Sequence, residues 1–299
     1  MQQQPPPSSF NPEQFKQAQR QGWDRTANGW KTWWPEYEHA GQKVSDRLVE
    51  LAEVRSGSKV LDVATGMGEP AVTAARRVQP NGKVLATDIS SEMLQIAKER
   101  VEKYGLQSIV ELREGDAESL NLPDRSFDAV LCRMGLMFFP SLQQALSLFY
   151  NALVPSGKIA AAIWPLPDRV PFLNVAFSTV RKELNLPPPP LDQPPFNLSS
   201  PSVLQDAFTK AEFDDVRTEN MRITITFDSP DRFTDFHKAI SAPLHQLLAN
   251  QSADKQNEVW QAVREAARPY TNSQGQVETD NEVICCVGSR KDSDLSLKR

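Results

Sequence analysis

The chain reads as an α/β protein: a seven-stranded, mostly parallel sheet with helices on both faces, an N-terminal helical lid, and a helical insertion between the last two strands. Three observations predict this. Short apolar runs alternate with helix-like patterns between Lys59 and Trp164, the spacing of βαβ units. The run Val60-Leu61-Asp62-Val63 breaks into Ala64-Thr65-Gly66-Met67-Gly68, a strand ending in a glycine turn ahead of a helix. Two later strand patterns, Val216 to Phe227 and Glu282 to Val287, flank a stretch too long for a hairpin loop.

Taken in order, residues 1–11 are Gln/Pro/Ser-rich and predicted to be disordered. Residues 12–57 form the lid: Val44, Leu48, Leu51 and Ala52 recur at helical spacing, and Gly57 supplies a stop. Residues 58–290 form the main domain. Lys59 to Val63 is its first strand, and Lys83 to Asp88, after the turn Pro80-Asn81-Gly82, its second. Ser90 or Ser91 caps the next helix, which puts Met93, Leu94, Ala97 and Val101 on one face. Ser108 to Leu112 and Phe127 to Cys132 read as the third and fourth strands. Leu142, Ala145, Leu146, Phe149 and Leu153 mark a helix ending at Pro155-Ser156-Gly157, before a fifth strand, Lys158 to Trp164. Leu186 to Phe196 is an extended, proline-rich loop, followed by a helix over Ser202 to Lys210. The segment Arg222-Ile223-Thr224-Ile225-Thr226-Phe227 alternates as a half-exposed strand does. A helical cap over about 230–270, broken at Pro243, is expected over one edge of the sheet. Residues 291–299 are a polar tail.

Composition excludes several classes. The net charge of −5 argues against a nucleic-acid binder, which needs a basic face. No apolar run reaches the length of a membrane span, and the N-terminus has neither the basic nor the apolar region of a signal peptide. Cys132, Cys285 and Cys286 lack metal-ligand spacing and lie in strand-like apolar runs. They read as buried reduced thiols, and a cytoplasmic protein with no metal site is expected.

Glycine is scarce, 13 of 299 residues, so a pair one residue apart marks a place where a ligand approaches the backbone. Gly66-Met67-Gly68-Glu69-Pro70-Ala71 matches the dinucleotide pattern G-x-G-x-x-A, so an NAD-dependent oxidoreductase is one alternative. Asp62 points elsewhere: a carboxylate four residues before the turn suits a cationic ligand better than a pyrophosphate. Asp88 and Asp116 end the next two strands, and open α/β sheets bind ligands along such ends. Three carboxylates along one edge favour a ligand with an amine, a ribose diol and an exocyclic amino group. S-adenosylmethionine has all three, and a sulfonium charge.

Five ordered stretches carry a family resemblance: VLDVATGMGEPA, KVLATDIS with SEMLQIAKERV, REGDAESLNLPDRSFDAVLC, RMGLMFFP and ALVPSGKIAAAIWP, from about Val60 to Pro165. They resemble class I S-adenosylmethionine-dependent methyltransferases, and are most similar to the ubiquinone/menaquinone-biosynthesis group. The resemblance implies a Rossmann-like fold. It also implies that Ala64, Gly66 and Gly68 form the turn beside the methionine moiety, with Asp62 orienting its amine. Asp88 would accept from both ribose hydroxyls, with Ile89 against the adenine. Asp116 would accept from the adenine amino group, the Ala117 backbone would meet the ring edge, and Arg133 would contact the cofactor through backbone atoms. Ser156 departs from the usual Pro-Gly-Gly turn. Ile163-Trp164-Pro165-Leu166-Pro167 stands where the quinone enzymes have an acidic, phenylalanine-containing segment, which counts against a quinone acceptor.

The expected function is methyl transfer to a small, apolar metabolite, with the acceptor atom (O, C or N) and oligomeric state open. A non-catalytic S-adenosylmethionine-binding partner protein is a second alternative. Trp30 and Trp34, in an N-terminal aromatic cluster, and Met137 and Phe138, after the fourth strand, are the candidates to meet the acceptor. His39, His237 and His245 are the candidate bases, since only histidine titrates near neutrality unperturbed.

Overall fold

The computed structural model describes residues 10–292. The predicted disordered tail, apart from Phe10 and Asn11, and the polar tail beyond Asp292 lie outside the described residues.

The apolar runs pair into one seven-stranded sheet in the order β3-β2-β1-β4-β5-β7-β6. The strands are β1 (Lys59–Val63), β2 (Lys83–Asp88), β3 (Val110–Glu114), β4 (Phe127–Arg133), β5 (Leu153–Ile163), β6 (Asp214–Phe227) and β7 (Val277–Ser289). The first five run parallel, and β7 is antiparallel to both β5 and β6. Strand order reverses between β1 and β4, so their carboxyl ends flank the crevice where such sheets receive ligands.

Helices follow the strands. They are α2 (Ala71–Val78), α3 (Ser91–Lys103), α4 (Leu142–Ala152), α5 (Pro171–Glu183) and α6 (Pro201–Lys210). Ser90 is the N-cap of α3, its hydroxyl accepting from the Met93 amide at 3.1 Å. Ala71, Val72, Ala74, Ala75 and Val78 of α2 are buried while Arg76 and Arg77 face water, as the pattern after the glycine turn predicts. α5 has no counterpart in the sequence reading, although Phe172, Ala176 and Val180, the residues it buries, stand at helical spacing. β3 is displaced by two residues from its predicted span. β5 begins at Leu153 rather than Lys158, because the chain pairs irregularly with β4 through Pro155–Gly157 before settling into register.

The N-terminal region is a single 40-residue helix, α1 (Pro12–Leu51), on the order of 60 Å long. Its C-terminal half is anchored by Val44, Leu48, Val49 and Leu51, all buried. The insertion between β6 and β7 is α7 (Pro230–Ile240), α8 (Ala242–Leu248) and α9 (Ala253–Ala267). Ser241 separates the first two: its hydroxyl accepts from the Leu244 amide, and Pro243 falls in the first turn of α8, where no amide donor is needed. The cap was expected over a sheet edge; its α7 rests on the lid and its α9 on α5. A Cβ built on Gly29 of α1 would lie 2.2 Å from the Ala239 carbonyl oxygen of α7, so the two backbones meet where only glycine fits. Among the described residues no helix is long and apolar enough to cross a membrane. All three cysteines are free and buried.

Candidate functional site

A cavity of about 1080 Å3, open mouth included, lies at the carboxyl ends of β1, β2 and β4 beneath the N-terminal half of α1. The glycine turn forms its floor. Ala64 and Gly66 have φ of 55° and 54°, left-handed conformations that bend the chain sharply as it leaves β1. A Cβ on Gly66 would meet nothing, because this stretch of backbone faces open space. Gly68 does different work. It does not line the cavity, and a Cβ there would come within 3.3 Å of the Ala97 Cβ, so its smallness lets α3 pack against the turn.

Three acids stand at successive strand ends, each held differently. Asp62 is fully buried under the turn. One carboxylate oxygen accepts from the Thr65 hydroxyl at 2.6 Å, and the other has no partner. Burial raises its pKa to about 8, against the pull of the Thr65 hydrogen bond. Asp88 lines the cavity, accepting from the Ser90 amide at 2.9 Å and the Gly66 amide at 2.8 Å. Burial raises Asp88 to about 6, and those amides oppose the shift. Asp116 accepts from the Glu118 amide at 3.0 Å and from Lys16 of α1 at 2.7 Å. Lys16 also pairs with Glu118 at 3.3 Å, which fastens the first turns of the lid over this end of the cavity. Ile89 and Ala117 line the wall beside them.

Arg133, at the end of β4, lines the opposite end, but its side chain is turned toward the lid. It donates to both oxygens of Glu38 at 3.1 Å, and at 3.0 Å to the Gly41 carbonyl and the Ser45 hydroxyl, all on α1. Both side chains are nearly enclosed, at 6% and 11% exposure. This leaves the Arg133 backbone for the contact expected of it, while the guanidinium anchors the lid. Next to it, Gly135 packs where nothing larger fits: its Cβ would lie 2.6 Å from the Ala64 Cβ and 2.8 Å from Cys132 Sγ.

Aromatic rings from α1 and the segment after β4 make the remaining wall. Trp23, Trp30, Trp34, Tyr37, Phe138 and Phe139 all reach it. Arg100 of α3 covers one face of Trp34, its guanidinium 4.1 Å from the ring centre, while donating to the Met67 carbonyl and to Glu69. The buried indole N–H of Trp30 has no partner. Of the four residues expected to meet the acceptor, Trp30, Trp34 and Phe138 line the cavity. Met137 does not: it is 1% exposed and packs into the core, because its short 3-10 turn directs Phe138 outward instead.

The histidines are not brought to the cavity. His39 and His245 are exposed. His237 is fully buried in the cap among Phe172, Phe233 and Phe236, with neither ring nitrogen partnered. Its removal from water pushes the pKa to about 3, so the ring is neutral and inert. The helical pattern that suggested an insertion did not reveal which way its histidines faced. Lys16, Glu38, Glu69 and Gly135 escaped the sequence reading as site residues, whereas Tyr37 belongs to the N-terminal aromatic cluster that the sequence singles out. The Lys16–Asp116 and Glu38–Arg133 pairs join residues 100 and 95 positions apart, and neither leaves a local pattern.

Residues 60–157 match the family model described as a methyltransferase domain. The chain is 36% identical over 111 residues to a ubiquinone/menaquinone biosynthesis C-methyltransferase from Pseudomonas putida, covering 37% of this chain and 43% of that one. It is 31% identical over 134 residues to a demethylmenaquinone methyltransferase from Lactobacillus johnsonii, covering 45% and 49%. The matches span less than half the length of these relatives. Among solved structures, the YcgJ protein from Bacillus subtilis aligns with a TM-score of 0.56 at 19% identity, over 84% of this chain and 99% of that one. A putative methyltransferase from Bacillus halodurans aligns at 0.54 and 21%, over 83% and 98%. The [4+2]-cyclase SpnF aligns at 0.54 and 18%, over 85% and 82%.

Residues 60–157 therefore form a methyltransferase domain, similar to class I S-adenosylmethionine-dependent methyltransferases. The residues present suit S-adenosylmethionine: Asp88 lines the cavity beside an open backbone turn, Asp116 lines it farther along the edge, and Asp62, with an unpartnered oxygen, is buried beneath the turn without lining the cavity itself. No cluster of three or more metal-ligating side chains occurs among the described residues.

Proposed function

We propose that the chain transfers a methyl group from S-adenosylmethionine to a small, uncharged, largely apolar acceptor. The observation that carries this reading is the row of Asp62, Asp88 and Asp116 along the strand ends, with the glycine turn between the first two. In this reading Asp62 helps orient the amine from beneath the turn, directly or through water, Asp88 holds the ribose hydroxyls with Ile89 against the adenine, and Asp116 and Ala117 hold the adenine edge. Ala64, Gly66 and Gly68 shape the turn, and the Arg133 backbone closes the methionine end.

Bound S-adenosylmethionine supplies an electrophilic methyl group on a sulfonium. The protein's task is then to align a nucleophile and keep water out. The lid does the second, covering the cavity with aromatic rings. The lining charges bear on the acceptor. Lys16 and Arg133 are both spent on carboxylates, while Asp88, Asp116, Glu69 and Glu118 outnumber them. Among the described residues a phosphorylated or carboxylated acceptor finds no free cation in the lining, and an apolar ring finds a matching wall. The relatives are named for quinone biosynthesis, and a ring of that kind falls within this class. No histidine stands at the cavity, so an acceptor that needs no dedicated base, or one already ionised, is favoured.

The test is calorimetric titration with S-adenosylhomocysteine and, separately, NAD. The wild type is expected to bind the first and not the second. Asp88→Ala should weaken S-adenosylhomocysteine by about 1.5–3 kcal/mol, the scale of a hydrogen bond involving a charge. Unchanged affinity refutes the ribose assignment, and binding of NAD alone refutes the reading. Radiolabelled methyl transfer into a metabolite extract then identifies the acceptor and separates an enzyme from a binding partner.

A further inference from the structure

We propose that Tyr37 orients the methyl acceptor, donating a hydrogen bond from its phenol to an oxygen carried on a flat ring. This rests on the methyltransferase reading above and adds a residue to it.

Position comes first. Tyr37 lines the cavity beside Arg133, at the β4 end of the site. Asp116 follows β3, and the order β3-β2-β1-β4 puts these ends three strand spacings apart, on the order of 14 Å. A cofactor spread along Asp116, Asp88 and the glycine turn therefore leaves Tyr37 on the side where its methyl group must be received.

The ring of Tyr37 is fixed and its hydroxyl is not. Trp30 meets it edge-on with centroids 5.5 Å apart, Phe172 lies 6.0 Å away, and the Arg133 guanidinium is 5.9 Å from the ring centre. Gly41, one turn on, leaves room for it: a Cβ there would lie 3.2 Å from Tyr37 Cε1. Only 7% of the residue is exposed. The hydroxyl has no hydrogen-bond partner among the described residues, and Tyr37 is one of the residues that line the cavity. A held ring with a free polar end is preorganised for a ligand, because little entropy remains to be lost on binding.

The chemistry selects the ligand atom. Burial raises the Tyr37 pKa, with Arg133 only partly opposing, so the phenol keeps its proton and serves as a donor rather than a base. Glu38 neutralises Arg133, so the oxygen received there is uncharged, a ring carbonyl or hydroxyl. The surrounding indoles accommodate a flat body around that oxygen.

Two probes of one shape test this: 2-naphthol, which carries the oxygen, and naphthalene, which lacks it. Both are titrated into the full chain with S-adenosylhomocysteine present, following quenching of the cavity tryptophans. The wild type is expected to prefer 2-naphthol, and Tyr37→Phe to weaken it about fivefold while holding naphthalene within twofold. Equal weakening of both probes assigns Tyr37 a packing role and overturns the proposal. So does unchanged 2-naphthol affinity in the variant, or a wild type that binds neither probe or shows no preference. S-adenosylhomocysteine affinity, measured first by calorimetry, should match in wild type and variant. Its absence in the wild type would be the failure of the methyltransferase reading instead.

Discussion

Asp62, Asp88 and His237 are all buried titratable groups, and each is kept neutral or ionised by a different neighbourhood. Asp88 has two backbone amides and stays near pKa 6, whereas Asp62, with one hydroxyl, rises to about 8. His237 has no partner at all. Its pKa falls from 6.5 to about 3, so below 6.5 the unfolded chain takes up a proton that the folded chain refuses. The stability this residue permits is complete above pH 6.5 and is lost as pH falls toward 3. His237→Leu should therefore flatten the decline in melting temperature between pH 6.5 and 4, as followed by calorimetry. A variant with the wild-type slope would show that other groups govern the acid side.

At the scale of the element, α1 is held where it crosses the sheet. Arg133 and Glu38 form a buried pair with two further hydrogen bonds to the helix. Breaking one partner leaves a buried charge uncompensated, which costs about 3–5 kcal/mol, while replacing both with apolar residues restores most of it. Glu38→Gln should accordingly lower the denaturation midpoint sharply, and Glu38→Leu combined with Arg133→Met should recover it. Equal loss in single and double variants would mean that the pair supports packing rather than charge balance. Sequence patterns carried most of the elements because helices and strands follow from neighbours three, four or two positions away. β1 and β2 lie where their apolar runs put them, and Ser90 caps α3. What escaped was mostly long-range: β5 starts early because its pairing with β4 bends through Pro155–Gly157. α5 is the local exception, since Phe172, Ala176 and Val180 stand at helical spacing in the sequence.

For the molecule as a whole, the cavity gathers α1, the glycine turn and the ends of β2 and β4 into one site. A ligand filling it stabilises the folded state by linkage: at a hundredfold excess over Kd the gain is about 2.7 kcal/mol. S-adenosylhomocysteine should thus raise the melting temperature with the logarithm of its concentration, and Asp88→Ala should shift that curve to higher concentration. Asp88 was legible because it ends β2, and Asp116 because it follows β3 by two residues, and strand ends are visible in the sequence. The lid's contribution was legible only as an aromatic cluster. Which rings turn inward depends on how a single long helix lies across the sheet, and Met137 and the histidines went astray for the same reason. Fold alone leaves the chemistry open, as the likeness to a cyclase illustrates.

The contact between Gly29 and the Ala239 carbonyl has a practical meaning for redesign. Lid and cap meet there main chain to main chain, so their seating is intolerant of any side chain at position 29, and beside it Trp30 and Trp33 pack on Phe236 while Glu36 pairs with Arg232. A graft that imports a foreign cap onto this lid, or the reverse, must carry both surfaces as one cassette. Exchanged together, the two segments keep this joint, and Trp30, which lines the cavity and packs on Phe236 of the cap, is the residue through which a change on one side reaches the other.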